Sequence, residues 1–168
     1  MRILLNIILP LFFLPFSSNS TESFLKELQD GQARQLEFSY SYMAPDAPKM
    51  EISGVVTIQG ESYHIELVDG SKFISNGQTL WYLYDMELVV SKLDSTSVIP
   101  YHNIFNFIAG ADYKKLSNGN ILLQRKDESG VMHTLNIVTL TDVEKRDASF
   151  FSIDVNSLDE DLCCLSID

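Results

Sequence analysis

The chain is poor in the residues that build most active sites. Its 168 residues include only two cysteines and three histidines. Cys163 and Cys164 are adjacent, a spacing poorly suited to an unstrained disulfide, so a disulfide framework is not what holds the fold together. His64, His102 and His133 are far apart, and none belongs to a metal-ligand spacing such as H-x-x-x-H. The two that fall on expected strands, His64 and His133, are expected at the solvated surface. A G-x-S-x-G nucleophile elbow and a phosphate-cradling glycine loop are both missing. Asp159-Glu160-Asp161 lacks the spaced ligands and glycine of a calcium loop and reads as a solvated acidic tail. Neither a metal nor a cofactor is expected, and the chain does not read as an enzyme.

Positive charge is also scarce. Twelve Lys and Arg face 23 Asp and Glu, for a formal net charge of −11. Nucleic acid is excluded as a partner, because phosphate contacts need clustered Lys and Arg. Electrostatic attraction to anionic membranes is disfavoured as well. Long apolar runs are limited to the start. Arg2 precedes Ile3 to Leu14, broken by Asn6 and Pro10, and the small polar stretch Ser17-Ser18-Asn19-Ser20 follows. A positive start, a short apolar stretch and small residues at the exit read as a secretory signal peptide over 1–20, cleaved after Ser18 or Ser20. No cysteine follows the run to mark a lipid anchor. The expected product is a free, monomeric single domain over 21–168, enough chain for one core of ordinary size.

Large apolar and aromatic side chains, by contrast, are plentiful: ten Phe, seven Tyr and one Trp. Thr21 to Gln29 reads as a short helix capped by Ser20 or Thr21, with Phe24, Leu25 and Leu28 on one face and Gly31 as its stop. The period then changes to two. Leu36, Phe38, Tyr40 and Tyr42 fall on one side of a strand. Ile52, Gly54, Val56 and Ile58 do so on the next, and Tyr63, Ile65 and Leu67 on the third. Turns at 59–61, Asp69-Gly70, Asn76-Gly77 and Asn118-Gly119 punctuate further short strands at 72–75, 79–84, 88–92, 120–124, 131–140 and 149–155. Between them, Pro100 opens a short helix carrying Ile104, Phe105 and Ile108 at helical spacing, with Phe107 widening its apolar arc and Gly110 ending it. The pattern predicts a mainly β domain, an antiparallel sandwich or barrel. A long aromatic sheet face under one small cover can enclose a cavity.

One segment is more specific. Ser75-Asn76-Gly77-Gln78-Thr79-Leu80-Trp81-Tyr82-Leu83-Tyr84-Asp85 resembles the hairpin S-D-G-K-T-L-W-x-Y of the outer-membrane lipoprotein carrier family, the LolA-like proteins. The order of its surroundings agrees: the strand of Phe38, G-x-V-x-I at Gly54 to Ile58, Y-x-I-E-L at Tyr63 to Leu67, the proline-led helix at Pro100 to Ile108, and F-x-I-D at Phe151 to Asp154. The resemblance spans Phe24 to Val155. It implies an unclosed, strongly curved antiparallel β-barrel with a helical lid over an apolar cavity. It also implies a periplasmic protein that shelters the acyl chains of lipoproteins, or of another lipid, between an inner-membrane transporter and an outer-membrane acceptor. The expected lining is Leu36, Phe38, Tyr40, Ile52, Val56, Ile58, Tyr63, Ile65 and Leu67, joined by Trp81 and Leu83, with Ile104, Phe105 and Ile108 from the lid. Leu80, Tyr82 and Tyr84 make the other face of the Trp81 strand equally apolar, so which face points inward stays open. The family's arginine, which ties the lid shut from the turn before Tyr63, has no counterpart in Gln59-Gly60-Glu61. Only one lid helix is evident where two are usual. A sensor module of the same fold is the alternative function.

Overall fold

The computed structural model describes residues 20–44 and 47–157, and the backbone of 163–166. The expected leader up to residue 19, the prolyl loop at 45–46 and most of the acidic tail, including Asp159-Glu160-Asp161, lie outside the described residues. So do the side chains of Cys163 and Cys164.

Helix α1 (Thr21–Leu28) comes first, and the Ser20 hydroxyl accepts from the Ser23 amide to cap it. Strands β1 (Arg34–Met43), β2 (Met50–Gln59), β3 (Ser62–Leu67), β4 (Lys72–Ser75), β5 (Thr79–Tyr84) and β6 (Glu87–Lys92) then form a meander. Helix α2 (Ile104–Ala109) interrupts it, and β7 (Asp112–Lys115), β8 (Ile121–Lys126) and β9 (Met132–Asp142) complete the antiparallel set. The strand order is β10-β6-β5-β4-β3-β2-β1-β9-β8-β7, where β10 (Cys163–Ser166) adds to β6 in parallel. The two ends of this sheet do not pair, so the sheet is curled and unclosed.

Register brings the apolar stripes together. Leu36 pairs with Val56, Phe38 with Gly54 and Tyr40 with Ile52 across β1 and β2, while Val56 pairs with Ile65 across β2 and β3. A Cβ on Gly54 would lie 2.6 Å from the Glu66 carbonyl oxygen and 3.2 Å from Cζ of Phe38. The glycine therefore makes room for the Phe38 ring on the concave face. On the other side of β1 the register slips after Glu37, leaving Val138 of β9 as the extra residue of a bulge. A bulge of this kind sharpens local twist and helps the sheet to curl.

Both helices cover the concave face. Phe24 and Leu28 of α1 and Ile104, Phe107 and Ile108 of α2 belong to the same buried cluster as the β1, β2, β3, β8 and β9 stripes. The Thr21 hydroxyl donates to the Ala111 carbonyl at 2.9 Å, tying α1 to the second residue after α2. The expectation of one lid helix is thereby corrected. The terminal segment departs from expectation too. Instead of a strand at 149–155 there are two short 3₁₀ turns, Ala148–Phe151 and Val155–Ser157, and the first runs over the convex side of β3. There Ile153 packs against a second, smaller cluster of Ile74, Trp81 and Leu88.

Candidate functional site

Twelve of the fourteen residues expected to line a cavity lie together beneath the lid. Leu36, Phe38, Tyr40, Val56, Ile58, Tyr63, Ile65, Leu67, Ile104 and Ile108 are buried in the main cluster, and Ile52 and Phe105 pack half-buried against it. Trp81 and Leu83 do not join them. Trp81 pairs with Ile74 and Val90 on the convex side, where the terminal segment covers it, and Leu80 and Tyr82 point inward instead. The physical reason is a strand covered on both faces, whose two apolar stripes carry no sign of direction. Phe107, not Phe105, is the fully buried phenylalanine of the lid, with none of its surface exposed.

In this closed form the concave face is filled by side chains. Tyr40, Tyr63, Phe107, Leu36, Ile58 and Ile65 are among the fully buried residues that fill it. A pocket of about 190 Å³ opens to solvent at the end of β1, lined by Tyr40, Tyr42, Met50, Glu51, Ile52 and Tyr101. Tyr101 comes from the approach to α2 and stands edge-on to Tyr40, with ring centroids 5.7 Å apart.

Few polar contacts hold the lid, and they fall at both ends of α2. The Tyr63 hydroxyl donates to the His102 carbonyl at 2.7 Å, and burial pushes the Tyr63 phenol well above its ordinary pKa. Arg125 of β8 donates from Nη1 to the Asn106 carbonyl at 2.7 Å, and a Cβ on Gly110 would lie 2.6 Å from its Cζ. The guanidinium thus rests against the bare backbone at the helix end, where cations are favoured. The side-chain amides of Asn103 and Asn106 donate to the carbonyls of Asp94 and Ser97 and brace the loop leading into the helix. Sequence reasoning missed Arg125. It stands two residues beyond Leu123, so the period of β8 itself puts it on the concave face; only its charge hid it.

The histidines also differ from expectation. His133 is buried, and its Nδ1 lies 2.7 Å from the Tyr40 hydroxyl while Nε2 lies 3.3 Å from an Asp127 oxygen. His64 sits on the convex face under the terminal segment, 3.2 Å from the Phe150 carbonyl through Nδ1. Burial pushes the pKa of both His64 and His102 down. Among the described residues, no group of three or more His, Cys, Asp or Glu is placed to hold a metal ion. No helix there is long and apolar enough to cross a membrane.

No protein-family model matches the chain, and no curated protein does. Solved structures do. A LolA superfamily protein from Nitrosomonas europaea superposes with a TM-score of 0.52 at 12% identity, covering 80% of this chain and 98% of its own. A DUF1329 family protein from Desulfovibrio piger covers 79% of this chain and 94% of its own at 10% identity, with a TM-score of 0.44, too low to bear on the assignment. The curled sheet with helices on its concave side is a LolA-like fold.

Proposed function

We propose that this protein is a carrier that shelters an acyl chain, of a lipoprotein or of another lipid, between its curled sheet and its helical lid. In this reading it works in the periplasm after loss of the leader at 1–20, receives its cargo from an inner-membrane transporter and yields it to an outer-membrane acceptor. It binds rather than catalyses.

The supporting observation is the lid itself. Helix α2 has six residues, three of them (Ile104, Phe107 and Ile108) fully buried against the sheet. Burying three such side chains is worth about 5–9 kcal/mol. A long acyl chain exposed to water costs on the order of ten. The two are of one size, so a chain can replace the lid on the sheet and be replaced by it in turn. Release at an acceptor requires that near-balance. A lid that bound much more tightly would never open, and one that bound much more weakly would leave the aromatic face exposed to aggregation.

The test is native mass spectrometry of the mature protein purified from its own envelope, followed by titration with a fluorescent acyl probe. A lipidated species bound one-to-one is the expected result and names the cargo. A clean unliganded mass together with no probe uptake would mean that the concave face is a closed core and would end the carrier reading.

A further inference from the structure

The pocket at the end of β1 is built largely from aromatic rings. Tyr40 and Tyr42 stand on one face of β1 with centroids 6.0 Å apart, and Tyr101, from the approach to α2, meets Tyr40 at 83° and 5.7 Å. The planes of Tyr40 and Tyr101 are thus close to perpendicular, like two adjoining sides of a box. Register supplies the rest: Ile52 pairs with Tyr40 and Met50 with Tyr42 across β1 and β2. Tyr40 is buried at the inner end, and Tyr42 is 37% exposed at the outer one. At about 190 Å³ the space is smaller than sites that enclose a whole small molecule, so it suits one end of a ligand.

The charge of that end follows from what lines the pocket. Among the described residues that line it there is no Lys or Arg, so an anionic end would find no cation there. Glu51 offers no free carboxylate either, because its Oε2 accepts from Lys49 Nζ at 2.8 Å. The rings themselves must carry the recognition. Burial first, then neighbouring phenols, then the carboxylates of Asp127 and Asp69 raise the phenols of Tyr40 and Tyr101 respectively. The full charges that reach the two rings are therefore both negative. Aromatic faces attract cations through the ring quadrupole, and aromatic cages are how proteins hold quaternary ammonium groups. Such a group has no N–H and needs no acceptor, which suits a pocket whose innermost hydroxyl, that of Tyr40, is already engaged with His133 Nδ1 at 2.7 Å.

Resting on the carrier reading above, we propose that this pocket is an aromatic cage for the methylated ammonium at the head of a lipid, so that the cargo is an amphiphile with a cationic polar end. Tyr40 forms the floor of the cage, and Tyr42 and Tyr101 form its walls. Tyr101 stands just ahead of α2, which begins at Ile104. A head group held against its ring therefore sets the acyl chain at the edge of the lid, from where it runs along the concave face.

The test uses an isosteric pair, octanoylcholine and its carbon analogue neohexyl octanoate, as competitors of a fluorescent acyl probe on the mature protein. The two differ only in N⁺ against C, and the quantity read is the ratio of their inhibition constants. The expected result is that the preference for the cation falls about two- to fivefold from its wild-type value in Tyr42→Leu and likewise in Tyr101→Leu, the worth of one ring to an ammonium at a partly exposed site. Tyr42→Phe and Tyr101→Phe, which keep the ring and lose the hydroxyl, should hold the wild-type ratio. An equal fall in the Phe variants would assign the preference to the hydroxyls and overturn the cage. Tyr42 is exposed at the end of its strand, so Tyr42→Leu decides the matter even if Tyr101→Leu is unstable. An unchanged ratio in Tyr42→Leu would overturn the cage while leaving the carrier intact. Choline alone should bind far more weakly than octanoylcholine; equal affinity would assign the pocket to a free ammonium compound and overturn its role as a lipid subsite. Failure of both competitors and of the probe to bind the wild type would instead overturn the carrier reading and the cage with it.

Discussion

Arg125 reaches from β8 across the open side of the sheet and donates to the main-chain carbonyl of Asn106, 2.7 Å away, near the last turn of α2. The lid is thus held by a charged donor from a strand distant in the sheet from β2 and β3, whose connecting turn lacks an arginine. Replacing Arg125 with Ala removes a hydrogen bond to a charged group, typically worth about 1.5–3 kcal/mol when well buried and less here, where the side chain is half-exposed. The expected result is faster uptake of an acyl probe in stopped-flow mixing, with a thermal midpoint lowered by a few degrees. Uptake at the wild-type rate would show that Arg125 does not restrain the lid.

Phe107 supplies a different test of the lid. Its truncation to Ala leaves a void under α2 and should cost about 3–5 kcal/mol in chemical unfolding. If an acyl chain fills the same space, saturating ligand will restore more stability to Phe107→Ala than it adds to the wild type. Equal stabilisation of the two proteins would place the chain elsewhere.

Gly54 is a point of close backbone approach on the concave face. An added Cβ would meet the Glu66 carbonyl at 2.6 Å, and that atom belongs to the backbone of the neighbouring strand. Gly54→Ala must therefore spread β2 from β3 or push Phe38 aside, and overpacking of this kind costs about 1–3 kcal/mol. Differential scanning calorimetry should show the loss, and Gly54→Ala with Phe38→Leu should regain part of it. A Gly54→Ala protein as stable as the wild type would contradict the close approach.

The two half-buried histidines, His64 and His102, set a pH dependence. Burial pushes His64 and His102 below their ordinary value of 6.5, so the unfolded chain binds protons that the native state refuses. Their contribution to stability is complete above pH 6.5 and is lost as the pH falls below it. Urea midpoints should decline between about pH 7 and 5, and His64→Gln with His102→Gln should flatten that decline. An equally steep decline in the double variant would assign it to other groups.

The architecture was legible wherever one face of a strand is apolar and the other polar. Leu36, Phe38 and Tyr40 on β1 and Tyr63, Ile65 and Leu67 on β3 are buried on the face that their alternation predicts. Strand β5 was not legible in this way, because Leu80 and Tyr82 pack inward while Trp81 packs under the terminal segment. Strand β7, Asp112–Lys115, escaped notice because Asp112, Lys114 and Lys115 face solvent at the edge of the sheet. The site suffered from the opposite bias. Arg125 and His133 pair across β8 and β9 at positions whose period belongs to the concave face, yet their polarity argued for the surface. His133 is buried and Arg125 half-buried there because each has a partner remote in sequence, Tyr40 for the histidine and Asn106 for the arginine.

The placement of Trp81 on the convex side has a practical consequence. It is the sole tryptophan, and it packs with Ile74, Leu88 and Ile153 rather than with the lid. Intrinsic emission from this protein therefore reports detachment of the terminal segment and stays silent when the concave face gains or loses an occupant. The tyrosines around Tyr40, Tyr63 and Tyr101 report the other side. A single sample, excited at two wavelengths, separates loosening of the outer layer from opening of the inner one.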